Sequence, residues 1–171
     1  MRININQDSS RTITGPGEIY AKEISEAGNA FAYSIYQHSK LPLKVFEAAR
    51  IATAMINGCM ICMNWQSKRD IHQMGITDGV IKNGEAPNKA FYSNLLNENY
   101  AELSKKELLA VKFANAMGKD PKKLSKDEKF WVEVKDVFSD AEITDLTYCI
   151  AGWMGMGRVA HVLGLDQNCE V

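Results

Sequence analysis

Apolar residues recur at every third or fourth position through most of the chain, the spacing of an amphipathic helix. Between residues 18 and 39 this spacing forms one stripe, made of Tyr20, Ile24, Ala27, Phe31 and Ile35. Pro42 then opens a second helix, because proline suits the first helical turn. Its buried side is predicted at Val45, Ala48, Ala49, Ala52, Met55 and Ile56. Gly58 ends this helix, in the usual position of a left-handed C-terminal cap.

The middle of the chain alternates between helices and turns. A third helix is predicted from residue 59 to residue 74, with Gly75 as its stop. Residues 77–89 hold two glycines and a proline, which favour short turns. A further helix is predicted over residues 89–97.

Serine–glutamate pairs mark helix starts in the C-terminal half. In a capping box the serine hydroxyl accepts a hydrogen bond from an amide of the first turn, and the glutamate accepts one from the serine amide. The spacing occurs at Ser104…Glu107, Ser125…Glu128 and Ser139…Glu142. The apolar face of the last long helix is predicted at Ile143, Leu146, Thr147, Ile150 and Met154. Glycines 152, 155 and 157 are expected to allow close helix contact or a sharp turn, and Gly164 to end a final helix.

These elements predict an all-α fold in one domain. No segment shows a sustained two-residue alternation, so no sheet is expected. The length of 171 residues fits a single domain. We predict an extended N-terminal arm over residues 1–17, which are polar and contain Gly15-Pro16-Gly17, and a helical domain over residues 18–171.

Charge and composition exclude several classes of partner. The net charge is −1, and the most basic stretch, residues 119–129, is interleaved with acidic residues. Neither nucleic acid nor a membrane surface is therefore expected to bind. The N-terminus lacks a continuous apolar segment typical of a signal peptide, and no apolar run is long enough to span a bilayer. The expected location is the cytoplasm.

Cys59 and Cys62 are the one clear chemical feature. They lie one helical turn apart at a predicted helix start, where partial positive charge favours thiolate over thiol. The thiolate is the nucleophile toward peroxides and disulfides. In a reducing compartment a close cysteine pair is more often catalytic or metal-binding than structural. The alternative is two buried thiols that act as small hydrophobic groups.

A zinc site is a further alternative for the cysteines. Structural zinc needs about four ligands, usually supplied as two close pairs. Cys149 and Cys169 are isolated in the sequence, and His38, His72 and His161 show no paired spacing. No metal is therefore expected.

Glu47 precedes Cys59 by 12 residues on a helix otherwise rich in alanine and aliphatic residues. A carboxylate in such a helix reaches solvent or has a partner. Two interpretations stay open. Glu47 pairs with Arg50 on an exposed face, or it turns toward the cysteines and handles a proton.

The residues around the cysteine pair resemble the carboxymuconolactone decarboxylase family, most closely its alkylhydroperoxidase D (AhpD)-like branch. The resemblance is specific over residues 47–77 and diffuse over residues 104–165. It rests on Glu47-Ala-Ala-Arg-Ile-Ala, Asn57-Gly58-Cys59-Met-Ile-Cys62, Met74-Gly75-Ile76-Thr77 and Phe138-Ser-Asp-Ala-Glu-Ile-Thr-Asp-Leu. It implies an all-α fold assembled into trimers or larger rings. It also implies peroxide reduction through a cycling disulfide, with no metal, flavin or haem and with electrons from a thiol or dithiol.

The resemblance also implies roles for individual residues. Cys62 would attack the peroxide and become a sulfenic acid, Cys59 would resolve it to a disulfide, and Glu47 would relay the proton. The helix start alone favours Cys59 as the more acidic thiol, so the order stays open. Trp65 and Gln66 are expected to line the pocket, on the turn that faces Cys62.

Gln66 departs from the family, which places its relay histidine at this position. Glutamine cannot accept a proton at neutral pH. We therefore expect a thiol-dependent peroxidase of weak activity, or a related disulfide reductase, acting in antioxidant defence as a homo-oligomer. Two alternatives are kept: a non-catalytic redox-sensing oligomer, and a decarboxylase-type lyase, whose relatives do not rely on a cysteine pair.

Overall fold

The computed structural model describes residues 2–3 and 15–166. Within them the chain forms ten α-helices and two short 3₁₀ helices and no strand, which confirms the all-α prediction. None of these helices is long and apolar enough to cross a membrane. The α-helices are α1 (Gly15–Tyr20), α2 (Lys22–His38), α3 (Leu43–Asn57), α4 (Met60–Asn64), α5 (Ser67–Asp70), α6 (Lys89–Leu96), α7 (Lys105–Lys119), α8 (Pro121–Leu124), α9 (Glu128–Val137) and α10 (Asp140–Val162). The 3₁₀ helices are Ile71–Met74 and Gly79–Lys82.

Helix α3 is the centre of the molecule. It packs against α7, α10 and α6. From Leu43 to Ala54 every residue except Lys44 is buried, so its apolar side extends around almost the whole helix. Gly58 ends α3 in the left-handed conformation (φ 69°), as predicted.

Helix α10 approaches its neighbours closely at two glycines. A Cβ at Gly152 would lie 2.2 Å from Cδ1 of Ile35, and a Cβ at Gly157 would lie 2.4 Å from Nδ2 of Asn57. These contacts confirm the predicted role of two of the three glycines, whereas a Cβ at position 155 would meet nothing. The helix runs without interruption to Val162, so the predicted final helix before Gly164 is the end of α10 itself.

Two of the three predicted capping boxes are present. Ser104 starts α7 and Ser139 starts α10, each with both reciprocal hydrogen bonds. The prediction for Ser125 is wrong, because this residue follows the end of α8. Asp127 caps α9 instead, and its carboxylate accepts the amide of Phe130 at 3.0 Å. An aspartate is as good an N-cap as a serine and here lies nearer the apolar run.

The helix predicted over residues 59–74 is interrupted. Helix α4 ends at Asn64, and Trp65 and Gln66 are extended, with ψ of 138° and 115°. The backbone groups freed by this break find partners outside the helix. The Gln66 amide donates to Asp70 at 2.8 Å, and the Trp65 carbonyl accepts from Arg50.

The N-terminal helices also differ from prediction. Helix α1 begins at Gly15, inside the predicted arm, and Ala21 separates it from α2. The remainder of the arm, apart from residues 2–3, lies outside the described residues. The stripe predicted on α2 is exposed over most of its length, since Ile24 is 78% exposed and Phe31 39%, and only Ile35 is buried.

Candidate redox site

Cys59 and Cys62 form a disulfide at the junction of α3 and α4, with their Cα atoms 5.2 Å apart. The left-handed Gly58 reverses the chain after α3, and the Cys59 amide still donates to the Ala54 carbonyl at 3.2 Å. Cys59 is the N-cap of α4, where its sulfur lies 3.3 Å from the Cys62 amide. The pairing predicted from the spacing is therefore present.

The two cysteines differ in accessibility. Cys59 is completely buried, whereas Cys62 is half-buried and lies on the wall of a cavity of about 270 Å³. A molecule in this cavity meets Cys62 and not Cys59. The geometry thus favours Cys62 as the first sulfur to react, in the order that the family resemblance implies.

The cavity lies between α2, α3, α4 and α10, and its wall is mainly apolar. It is lined by Asn29, Ala32, Tyr36, Arg50, Ala54, Ile61, Cys62, Trp65, Met74, Gly152, Trp153, Met156 and Gly157. Trp65 lies on this wall, as expected. Gln66 does not line the cavity, because the extended break after α4 removes it from the face that it would share with Cys62 on a continuous helix.

Trp65, which lies on the wall of the cavity with Cys62, has an unsatisfied donor. Its indole Nε1 is buried and has no hydrogen-bond acceptor among the described residues. A buried donor without an acceptor costs about 1–3 kcal/mol.

Glu47 lies at the centre of a buried polar network below the cavity. Its carboxylate accepts hydrogen bonds from Arg50 at 2.9 and 3.0 Å and from the Ser67 hydroxyl at 2.5 Å. The Tyr92 hydroxyl also bonds to it; burial, and then the charge of Glu47, raise the pKa of Tyr92 far above its usual value. The pairing with Arg50 weighed from the sequence is present, but both side chains are buried and not on an exposed face.

Arg50 connects Glu47 to the cysteine segment. Its guanidinium donates to the Cys62 carbonyl at 2.6 Å and to the Trp65 carbonyl. Burial lowers the pKa of Arg50, but the adjacent Glu47 carboxylate raises it more, so the net shift is upward and the guanidinium stays charged. We call these hydrogen bonds from Arg50 to the carbonyls of Cys62 and Trp65 the clamp. Sequence reasoning missed the clamp, although an arginine in an apolar helix was a signal for it. Ser67 and Tyr92 gave no signal.

Cys149 is expected to be unreactive. It is buried on α10, and its thiol donates to Asp145 at 3.3 Å. Burial, and then the Asp145 charge, raise the pKa of this thiol far above its usual value. Iodoacetamide at pH 8 should therefore alkylate Cys62 of the reduced protein well before Cys149, as followed by peptide mass spectrometry. Equal labelling rates would contradict this assignment.

The remaining candidate metal ligands do not gather around the cysteines. Within residues 2–3 and 15–166, no three His, Cys, Asp or Glu side chains are placed together to hold a metal ion. Cys169 lies outside the described residues.

Comparison with known proteins gives no match. No protein-family model covers the chain, and neither a curated protein nor a solved structure is significantly similar to it. The function of the site is therefore inferred from its own residues and geometry.

Proposed function

We propose that this chain is a thiol-dependent peroxidase, or a closely related disulfide reductase, of the alkylhydroperoxidase D-like type. The proposal rests on one observation above all. A disulfide joins a completely buried sulfur at Cys59 to a sulfur at Cys62 that lines an apolar cavity. This arrangement suits a cycle in which one thiol meets the substrate and the other closes the bond behind it.

The proposed cycle has three steps. The Cys62 thiolate attacks a hydroperoxide oxygen, so that an S–O bond forms, the O–O bond breaks and an alcohol leaves after taking up a proton. The Cys59 thiol then attacks the sulfenic acid, and the disulfide forms as water leaves. An external dithiol returns both cysteines to thiols through a mixed disulfide.

Glu47 and Arg50 act in this proposal as positioning residues. Arg50 holds the carbonyls of Cys62 and Trp65 while the Cys62 sulfur changes its bonding partner. Glu47 fixes Arg50 through two hydrogen bonds. The proton relay through Glu47 that the resemblance implies stays a prediction. The Glu47 carboxylate already accepts hydrogen bonds from three side chains, those of Arg50, Ser67 and Tyr92.

The direct test measures peroxide consumption by the purified protein. Cumene hydroperoxide and excess dithiothreitol are mixed with the protein, and peroxide loss is followed over many equivalents. We expect slow, continuous turnover that stops after the reduced protein is alkylated. Disulfide formation with a single equivalent of peroxide and no further loss would instead favour the redox-sensing alternative.

The proposal includes assembly of copies of the chain through α2 and α10. Ile24 and Phe31 expose an apolar face on α2. Phe31 packs edge-on against Tyr148 of α10, with ring centroids 6.5 Å apart, and Tyr148 is itself 63% exposed. Exposed apolar patches that join two helices are typical of protein interfaces.

Ile24→Glu should therefore weaken self-association. A charge in a desolvated apolar interface is costly, so we expect light scattering at micromolar concentration to show an oligomer for the wild type and smaller species for the variant. Val132→Glu is the matched control, because Val132 is 70% exposed on α9, outside this face. A monomeric wild type, or an equal effect of the control, would refute the proposed interface.

A further inference from the structure

Cys59, unlike Cys62, needs a neighbouring group to supply a proton when the disulfide opens. Attack of an external thiolate on Cys62 releases Cys59 as a thiolate. Cys59 is completely buried, so water does not reach its sulfur directly. An uncompensated buried anion is strongly unfavourable, and a neighbouring group is needed to deliver a proton.

His161 lies against the residue that precedes Cys59. The imidazole, in the last turn of α10, packs on Gly58 so closely that a Cβ there would be 3.1 Å from Nε2. The side chain of His161 is also 46% exposed. One edge of the ring thus faces the Cys59 segment while the residue keeps contact with solvent, from which it can recover a proton.

Asp166 holds this imidazole from the other side. Its carboxylate is buried, lies 2.9 Å from Nδ1 of His161 and accepts the amide of Met60 at 3.1 Å. Met60 directly follows Cys59, so His161 and Asp166 contact the backbone on both sides of that cysteine. An ionised carboxylate can only accept, which places a proton on Nδ1 and leaves Nε2 as the nitrogen directed at Gly58.

The charges around His161 are few. Asp166 is its only charged partner in the part of the chain that the structure describes. The second oxygen of Asp166 is buried and has no hydrogen-bond partner there. Arg158, on the same helix, donates away from the site to the Gly118 carbonyl.

We infer that His161, positioned by Asp166, donates a proton to Cys59 when the disulfide opens and accepts it back when the disulfide closes. The inference rests on the proposed function only in requiring that the disulfide cycles. In the opening step a donor thiolate bonds to the Cys62 sulfur, the S–S bond breaks, and the electron pair stays on Cys59. The imidazolium proton then passes to the Cys59 thiolate, and the neutral ring is reprotonated by solvent. A second donor thiol releases Cys62 as an external disulfide forms.

The test measures disulfide opening without peroxide. Oxidised protein is mixed with excess dithiothreitol between pH 5.5 and 8.5, quenched with acid and analysed for free thiols by mass spectrometry. Each rate is divided by the thiolate fraction of dithiothreitol at that pH. We compare the wild type, His161→Gln, Asp166→Asn and, as matched control, His38→Gln, whose histidine lies exposed in the last turn of α2.

The wild type and His38→Gln should open the disulfide at the same corrected rate across this pH range. His161→Gln should be about a hundred-fold slower, the lower end of what a general acid contributes. Asp166→Asn should also slow the opening, because it removes the carboxylate that holds the imidazole.

An unchanged rate in His161→Gln would overturn the inference, as would an equal slowing in His38→Gln. If Asp166→Asn does not fold, His161→Gln decides. Slow opening in His161→Gln without peroxidase turnover by the wild type would refute only the proposed function. Turnover by the wild type with an unchanged rate of opening in His161→Gln would refute only the role of His161.

Discussion

Cys62→Ser should reduce consumption of an organic hydroperoxide to the rate of buffer alone. Cys62 is the cysteine on the cavity wall, and the other member of the pair is completely buried. Serine keeps the size of the side chain but is not ionised at neutral pH, so the nucleophile is lost. Peroxide loss with dithiothreitol as reductant measures the effect.

Cys59→Ser is the matched control for this prediction. Cys62 should still attack one equivalent of peroxide, but the sulfenic acid cannot be resolved inside the chain and should persist. Dimedone labelling followed by mass spectrometry would detect it on Cys62. Retained single-turnover reactivity in Cys62→Ser, with none in Cys59→Ser, would reverse the assigned order of attack.

Arg50→Met should cost about 3–5 kcal/mol of unfolding free energy, the usual effect of breaking a buried ion pair by removing one partner. The substitution leaves the carboxylate of Glu47, which is completely buried, without its cation. It also removes the donors to the carbonyls of Cys62 and Trp65. Urea denaturation at pH 7 would measure the loss.

Lys44→Met provides the comparison on the same helix. Lys44 pairs with Glu85 at 2.6 Å, but Glu85 is 81% exposed, so loss of this pair should cost far less than loss of the buried pair. Adding Glu47→Gln to Arg50→Met should recover part of the stability, since the unpaired charge is then removed. If Arg50→Met costs no more than Lys44→Met, the clamp does not stabilise the fold.

Features determined by neighbouring residues could be predicted from the sequence. The end of α3 at Gly58 and the capping boxes at Ser104 and Ser139 depend on contacts within one helical turn, and all three are present. Ser125 failed because Asp127, two residues on, is the N-cap of α9 and accepts the Phe130 amide. Periodicity also located the apolar stripe of α2 but could not reveal that Ile24 stays uncovered.

Features that depend on distant residues were beyond sequence reasoning. The break at Trp65 and Gln66 is supported by Arg50, 15 residues before Trp65, whose guanidinium donates to the Trp65 carbonyl. Spacing placed the disulfide correctly, yet it could not show which sulfur faces a cavity. His161 lies 102 residues after Cys59 in the sequence, and only folding of α10 across Gly58 brings the two segments together.

The central position of α3 has a consequence for how the protein tolerates substitution. A helix on the surface accepts polar replacements on its outer face, so tolerance along it rises and falls with a period of three to four residues. Helix α3 has almost no outer face between Leu43 and Ala54. A scan that substitutes every position should therefore find that all positions from Leu43 to Ala54 except Lys44 tolerate polar residues poorly. Along α9, tolerance should instead vary with a period of three to four residues.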